Sequence, residues 1–225
     1  MTLASRPAVD GIRHYISDIA PDNIASMIKG AFEARGDKIP LWYGEGDVGT
    51  SSFVGKAVEE AIRAGQTFYT NQNGTPELRE VLADYHSRFT GRQVDTNRIT
   101  VTSGGMPAIM LAVQILVSEG DNVVVIDPVW PNLGNAVRIV GGEVRSVKMD
   151  LSEQGWVVEP DRVASACDAR TKMIFYASPR NPTGAILPHS TQARLLALAR
   201  YRGLWVVADE VYGRMGERLG AIFVQ

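Results

Sequence analysis

The sequence predicts an α/β fold in which a mostly parallel sheet is covered by helices on both faces, a three-layer α/β/α arrangement. Three observations carry that expectation. Past residue 95, short β-branched runs alternate with segments of helical period. Several of these runs are almost continuously apolar, as strands buried on both faces should be. Each connection between runs is long enough for the crossover that parallel neighbours require.

The first 95 residues read differently. Val54, Ala57, Val58, Ala61 and Ile62 form one apolar stripe at helical spacing. Leu78, Val81, Leu82, Tyr85 and Phe89 form another, behind a Thr75 cap and Pro76 in the first turn. Both stripes are expected to be scaffold. The GDKIPLWYGEGDVGTSS stretch marks the change from an N-terminal arm to the main body, which divides the chain into residues 1–47 and 48–225. Strands are then expected at 98–103 (RITVTS), 122–127, 143–149, 172–177 and 204–209. Helices are expected around 106–118, 131–140, 160–167 and 190–202, the last with Ser190 as N-cap.

Composition narrows the function. Lys plus Arg at 23 against Asp plus Glu at 25 leaves a net charge of −2, too balanced for a nucleic-acid footprint, so the expected partner is a small molecule. A single cysteine, Cys167, cannot form an internal disulfide, and His14, His86 and His189 lack metal-ligand spacing. The opening MTLASRPAVDGIRHY has no basic segment followed by an apolar one, and no stretch approaches the ~20 apolar residues a bilayer needs. A cytoplasmic, metal-free protein without a membrane span is the expectation.

Two familiar loops fit poorly. Gly44, Gly46 and Gly49 have dinucleotide-loop spacing, but Glu45 and Asp47 would set negative charge beside a pyrophosphate, and 63–70 holds no acid for a ribose hydroxyl. LWVVADE resembles the magnesium-binding strand of an ATPase. Five residues rather than four separate Gly49 from Gly55-Lys56, however, and Ala57 stands where a hydroxyl should reach the metal.

Several reactive segments follow the apolar runs, and parallel sheets bind ligands at the carboxyl ends of their strands. Ser103-Gly104-Gly105-Met106-Pro107 leads into a helix whose free N–H groups can receive a phosphate, although it also makes an ordinary tight turn. DPVWPN holds Trp130 in a Pro-restricted turn, able to lie against a flat ligand or to join the core. Two prolines restrict the backbone around Asn181, which suits an amide held toward a ligand oxygen or a plain Pro/Gly turn. Asp209 ends the last run as a binding carboxylate or a helix cap, and Glu210 is expected to be a solvated or structural partner.

Taken together, YTNQNGTPELRE, VTSGGMPA, DPVWPN, SPRNPTGAI and VVADEVYGR occur in the order found in the class I/II aminotransferases of the aspartate aminotransferase fold, which use pyridoxal 5′-phosphate. The chain resembles that family from about residue 40 to Arg214. The resemblance implies that 48–225 is the cofactor-binding large domain and 1–47 the arm with part of the small domain. It implies that Gly104, Gly105 and Met106 cradle the phosphate, and that Trp130 stacks on the pyridine ring. Asn181 and Tyr212 correspond to the pair that hydrogen-bonds the phenolic oxygen, and Asp209 to the carboxylate beside the ring nitrogen. Gly44 matches the segment that approaches the substrate carboxylate, with Gly46 in place of the usual proline. Tyr69 resembles the tyrosine that reaches the cofactor phosphate of the neighbouring subunit, which implies a homodimer.

The departures are equally specific. The family's Schiff-base lysine lies one crossover and one strand beyond the aspartate, and only 16 residues follow Asp209, so the chain is expected to be a truncated form without it. Lys29, Lys38, Lys56, Lys148 and Lys172 all precede Asp209, and the closing GERLGAIFVQ leaves the family pattern. No catalytic residue is therefore assigned. In that fold the first strand pairs only with the last, so RITVTS is expected to lack a neighbour. The implied activity is amino group transfer between an amino acid and a 2-oxo acid. A non-catalytic cofactor-binding or regulatory relative, or a lyase of the same fold, are the alternatives.

Overall fold

The elements follow in the order α1 (Ser52–Arg63), α2 (Pro76–Thr90), α3 (Gly105–Leu116), β1 (Asn122–Asp127), α4 (Asn132–Ile139), β2 (Glu143–Lys148), β3 (Asp150–Ser152), β4 (Gly155–Val157), α5 (Pro160–Ala166), β5 (Thr171–Ala177), α6 (His189–Arg202) and β6 (Trp205–Asp209). The computed structural model describes residues 16, 19, 39, 44, 48–153 and 155–215. The chain separates into two units, Ala20–Pro76 and a larger one of Met1–Ile19 with Glu77–Gln225.

The larger unit is organised by a sheet of order β2-β1-β5-β6 in which every pairing is parallel. Successive side chains of a strand point to opposite faces, so an apolar run fills two layers at once. Val124, Ile126, Ile174 and Tyr176 join Val163 of α5 and Leu195 and Ala199 of α6 on one face. Val123, Val125, Met173 and Phe175 join Val113 of α3 and Leu133, Ala136 and Val137 of α4 on the other. This is the three-layer α/β/α arrangement expected. Burying side chains of this kind contributes roughly 1.5–3 kcal/mol each, which makes β1 and β5 the anchor of the unit.

Local chemistry sets the ends. Gly203 closes α6 in the left-handed region (φ 67°), with the Leu204 N–H donating back to the Ala199 carbonyl at 2.8 Å. The start of α6 differs from expectation: Pro188 occupies the N-cap position without a side-chain cap, so Ser190 lies inside the first turn. An antiparallel β3–β4 hairpin joins β2 to α5, where no strands were expected.

The expected strand over 98–103 is not formed. Thr96–Arg98 is a short 3₁₀ turn capped by Asp95, whose carboxylate accepts the Asn97 N–H at 2.7 Å. Ile99 is extended (φ −105°, ψ 124°), but no strand pairs with this segment among the described residues. A β-branched run becomes a strand only where a neighbour accepts its ladder. Arg79 of α2 holds the segment instead, donating from Nε to the Ile99 carbonyl at 3.0 Å and from Nη2 to the Thr96 carbonyl at 2.7 Å.

In the smaller unit α1 has no buried residue, and its stripe faces outward, with Val58 and Ile62 more than half exposed. The expected scaffold role of that stripe is not realised among the described residues. The stripe of α2 is partly covered: Tyr85 stacks on Phe89, and the Arg214 guanidinium lies 4.5 Å from the Phe89 ring centre. Among the described residues no helix is long and apolar enough to cross a membrane, and no group of three His, Cys, Asp or Glu side chains is placed to hold a metal.

Amide exchange should separate these regions. Residues 99–103, lacking ladder bonds, are expected to exchange rapidly, while 123–126 exchange only on global opening. Equal protection of the two segments would contradict the pairing described.

Candidate functional site

Because all four strands of the sheet run the same way, Asp127, Lys148, Ala177 and Asp209 end on one edge, with Asp127 level with Lys148 and Ala177 with Asp209. Helix α3 leads through residues 117–121 into β1. A 12-residue helix spans about 18 Å and a six-residue strand about 20 Å, so a helix packed back along β1 through Val113, which clusters with Val123 and Val125, starts near the strand's carboxyl end. That edge is where an open parallel sheet leaves its ligand crevice.

Most of the expected site residues stand on it. Gly104 precedes α3 in an extended conformation, no side chain caps the helix, and a Cβ built on Gly105 would meet nothing within 4 Å. The first-turn N–H groups, including those of Gly105 and Met106, have no intrahelical acceptor. Thr102 steadies the turn, its hydroxyl donating to the Gly104 carbonyl at 2.8 Å. Trp130 follows β1 and is 38% exposed. Asn181 lies after β5, partly buried. Asp209 ends β6, and its carboxylate accepts the Val211 N–H at 3.1 Å, which fixes the turn leading to the partly buried Tyr212. Gly44 is an exposed bend and Tyr69 is fully exposed; both belong to the smaller unit and are described only within it.

Three further groups belong to this edge. Arg180, beside Asn181, is 2% exposed, and its Nη1 donates to the Ile126 and Pro128 carbonyls. Its Nε and Nη2 are buried without a hydrogen-bond partner. Burial pushes its pKa down to about 10, opposed by the Asp127 carboxylate, so the guanidinium stays charged at neutral pH. Burial raises the pKa of Asp127, against the attraction of Arg180, while the Ser146 hydroxyl donates to its carboxylate. Burial, with the adjacent Asp209 charge, lifts Glu210 to about 7, which sets aside the solvated alternative expected and leaves the structural one. An arginine between prolines and a second acid after Asp209 gave no sequence signal of burial. Among the described lysines only Lys148 stands at the strand ends; Lys56 is on α1, and Lys172 pairs with Asp121 at the opposite edge, 3.7 Å away.

The fold and this edge define an α/β protein whose loops gather at the carboxyl ends of a parallel sheet. Residues 37–223 match the family Aminotransferase class I and II, and the chain belongs to that family, whose members use pyridoxal 5′-phosphate. It is 35% identical over 205 residues to the aspartate/prephenate aminotransferase of Thermus thermophilus, covering 90% of this chain and 53% of that protein. It is 33% identical over 182 residues to an arginine–pyruvate transaminase of Pseudomonas aeruginosa, covering 80% of this chain and 46% of that protein. The Thermus thermophilus aspartate aminotransferase with maleate superposes with a TM-score of 0.83 at 35% identity, over 91% of this chain and 54% of that one. The chain thus spans about half the length of the curated relatives it matches.

The raised Glu210 pKa has a signed consequence. Between the ordinary value of 4.5 and about 7 the folded chain holds a proton that the unfolded chain has lost. Its contribution is complete below pH 4.5 and disappears as pH rises through about 7. Denaturant titrations at pH 5 and pH 8 should show this loss, and Glu210→Gln should flatten it. An unchanged pH slope in that variant would exclude Glu210 as the source.

Proposed function

We propose that the chain carries the cofactor-binding part of a pyridoxal 5′-phosphate-dependent aminotransferase that moves an amino group between an amino acid and a 2-oxo acid. The observation that carries it is one edge of a parallel sheet with an uncapped helix N-terminus, an accessible indole and a strand-end carboxylate. The residues fit the cofactor chemically. The open Gly104–Gly105–Met106 turn and the positive end of α3 suit a phosphate, and the exposed Trp130 face suits a flat ring. The Asn181 amide and Tyr212 hydroxyl are donors for the phenolic oxygen, and Asp209 supplies negative charge for a protonated ring nitrogen.

The bound cofactor supplies an electron-poor ring that stabilises charge developing at the amino acid's α-carbon. The chain's own groups bind and orient: α3 holds the anion, Trp130 fixes the ring plane, and Asp209 keeps the proton on the ring nitrogen. In the same reading Gly44 lets the backbone approach the substrate carboxylate, and Tyr69 reaches the phosphate of a neighbouring subunit in a homodimer. Residues 48–225 are the cofactor-binding large domain, and 1–47 are the arm with part of the small domain. The site is metal-free and the setting cytoplasmic.

Titration with pyridoxal 5′-phosphate, followed by absorbance, tests this. The chain is expected to bind one equivalent, and Asp209→Ala to weaken binding about tenfold or more, the loss of one charge-assisted hydrogen bond. Borohydride treatment of the loaded chain should leave its intact mass unchanged, since no lysine follows the expected motif. Failure to bind, full affinity in Asp209→Ala, or stoichiometric labelling of one lysine would each contradict the corresponding assignment.

A further inference from the structure

Arg180 is the largest fully buried side chain in the described structure, and it is charged. Its backbone and side chain do different things. The Arg180 N–H donates to the Ala185 carbonyl at 3.0 Å, and its carbonyl accepts the Gly184 N–H at 2.7 Å, so the residue closes the loop that presents Asn181. Its Nη1 crosses to the neighbouring strand end, donating to the Ile126 carbonyl inside β1 and to the Pro128 carbonyl just beyond it, two residues before Trp130. One residue therefore ties the Asn181 loop to the end of strand β1 and to Pro128, where the Trp130 loop begins.

We propose that Arg180 is a positioning residue that locks the Trp130 loop to the Asn181 loop, so that the ring-facing indole and the amide are presented as one rigid body. The inference rests on the proposed cofactor site. A guanidinium suits the task because its planar fork stays charged when buried and can reach two carbonyls from one nitrogen. Burying a charge is unfavourable unless it is compensated; the Asp127 carboxylate supplies opposite charge and two carbonyls accept from Nη1, while Nε and Nη2 have no hydrogen-bond partner. The loops pre-organise the site before any ligand arrives, which is where rigid positioning improves affinity.

Hydrogen exchange on the cofactor-free chain reads this directly, with cofactor titration alongside. Arg180→Gln is expected to speed exchange by about tenfold or more in both 128–131 and 181–187, leaving 171–177 unchanged, and to weaken pyridoxal 5′-phosphate binding by a similar factor. Arg180→Lys, which keeps a charged donor but loses the fork, should recover part of both effects. Loosening of one loop alone, or of neither, would overturn the proposal, as would normal cofactor affinity with both loops loosened. If Arg180→Gln unfolds the sheet as well, Arg180→Lys decides: intact strands with both loops loosened supports the lock, and unchanged loops overturn it. A wild-type chain that binds no cofactor, with both loops still loosened together in the variant, would overturn the proposed function while supporting the lock.

Discussion

Two-sided burial of β1 and β5 is the constraint on which the rest depends. Val123 to Ile126 and Met173 to Phe175 are at most 1% exposed, so each face needs its own helical layer. Helices on both faces require crossovers, and crossovers keep the strands parallel. Parallel strands in turn bring every carboxyl end to one edge. Trp130 and Asn181, beyond β1 and β5, and Asp209, at the end of β6, are brought to neighbouring strand ends because the sheet sets β1, β5 and β6 side by side.

Against that apolar background the polar features of the edge are specific. Asp127, Arg180, Asp209 and Glu210 lie within a few residues of strand ends, and burial shifts the titration of three of them. The opposite edge also holds charge but uses it differently. There Arg145, Asp168, Glu143 and Arg170 form exposed or half-exposed pairs, and Asn122 donates to Asp168 at 2.8 Å, binding the strand starts together. Asp168 is held well below the usual carboxylate range, first by the Asn122 hydrogen bond and then by the Arg170 N–H and Arg145. Pairs of this exposed kind are stapling features worth little singly.

Much of the sheet was legible because burial on both faces writes itself as unbroken apolar runs, as in NVVVID and KMIFYA. The segment at 98–103 has the same β-branched character, but a ladder requires a partner, and partnership is not local. The β3–β4 hairpin was missed because its strands are three residues long, too short for alternation to register. Motif order singled out Gly104, Trp130, Asn181 and Asp209 as candidates. Arg180 was not, because an arginine in a Pro-rich loop reads as solvated until the loop folds over it.

The most direct test of the central claim is a crystal structure of this chain grown with pyridoxal 5′-phosphate. The account predicts the phosphate on the N–H groups of Gly105 and Met106, the ring against Trp130, and the ring nitrogen facing Asp209. A cofactor seated away from the carboxyl edge of the sheet, or with its ring nitrogen turned from Asp209, would contradict it.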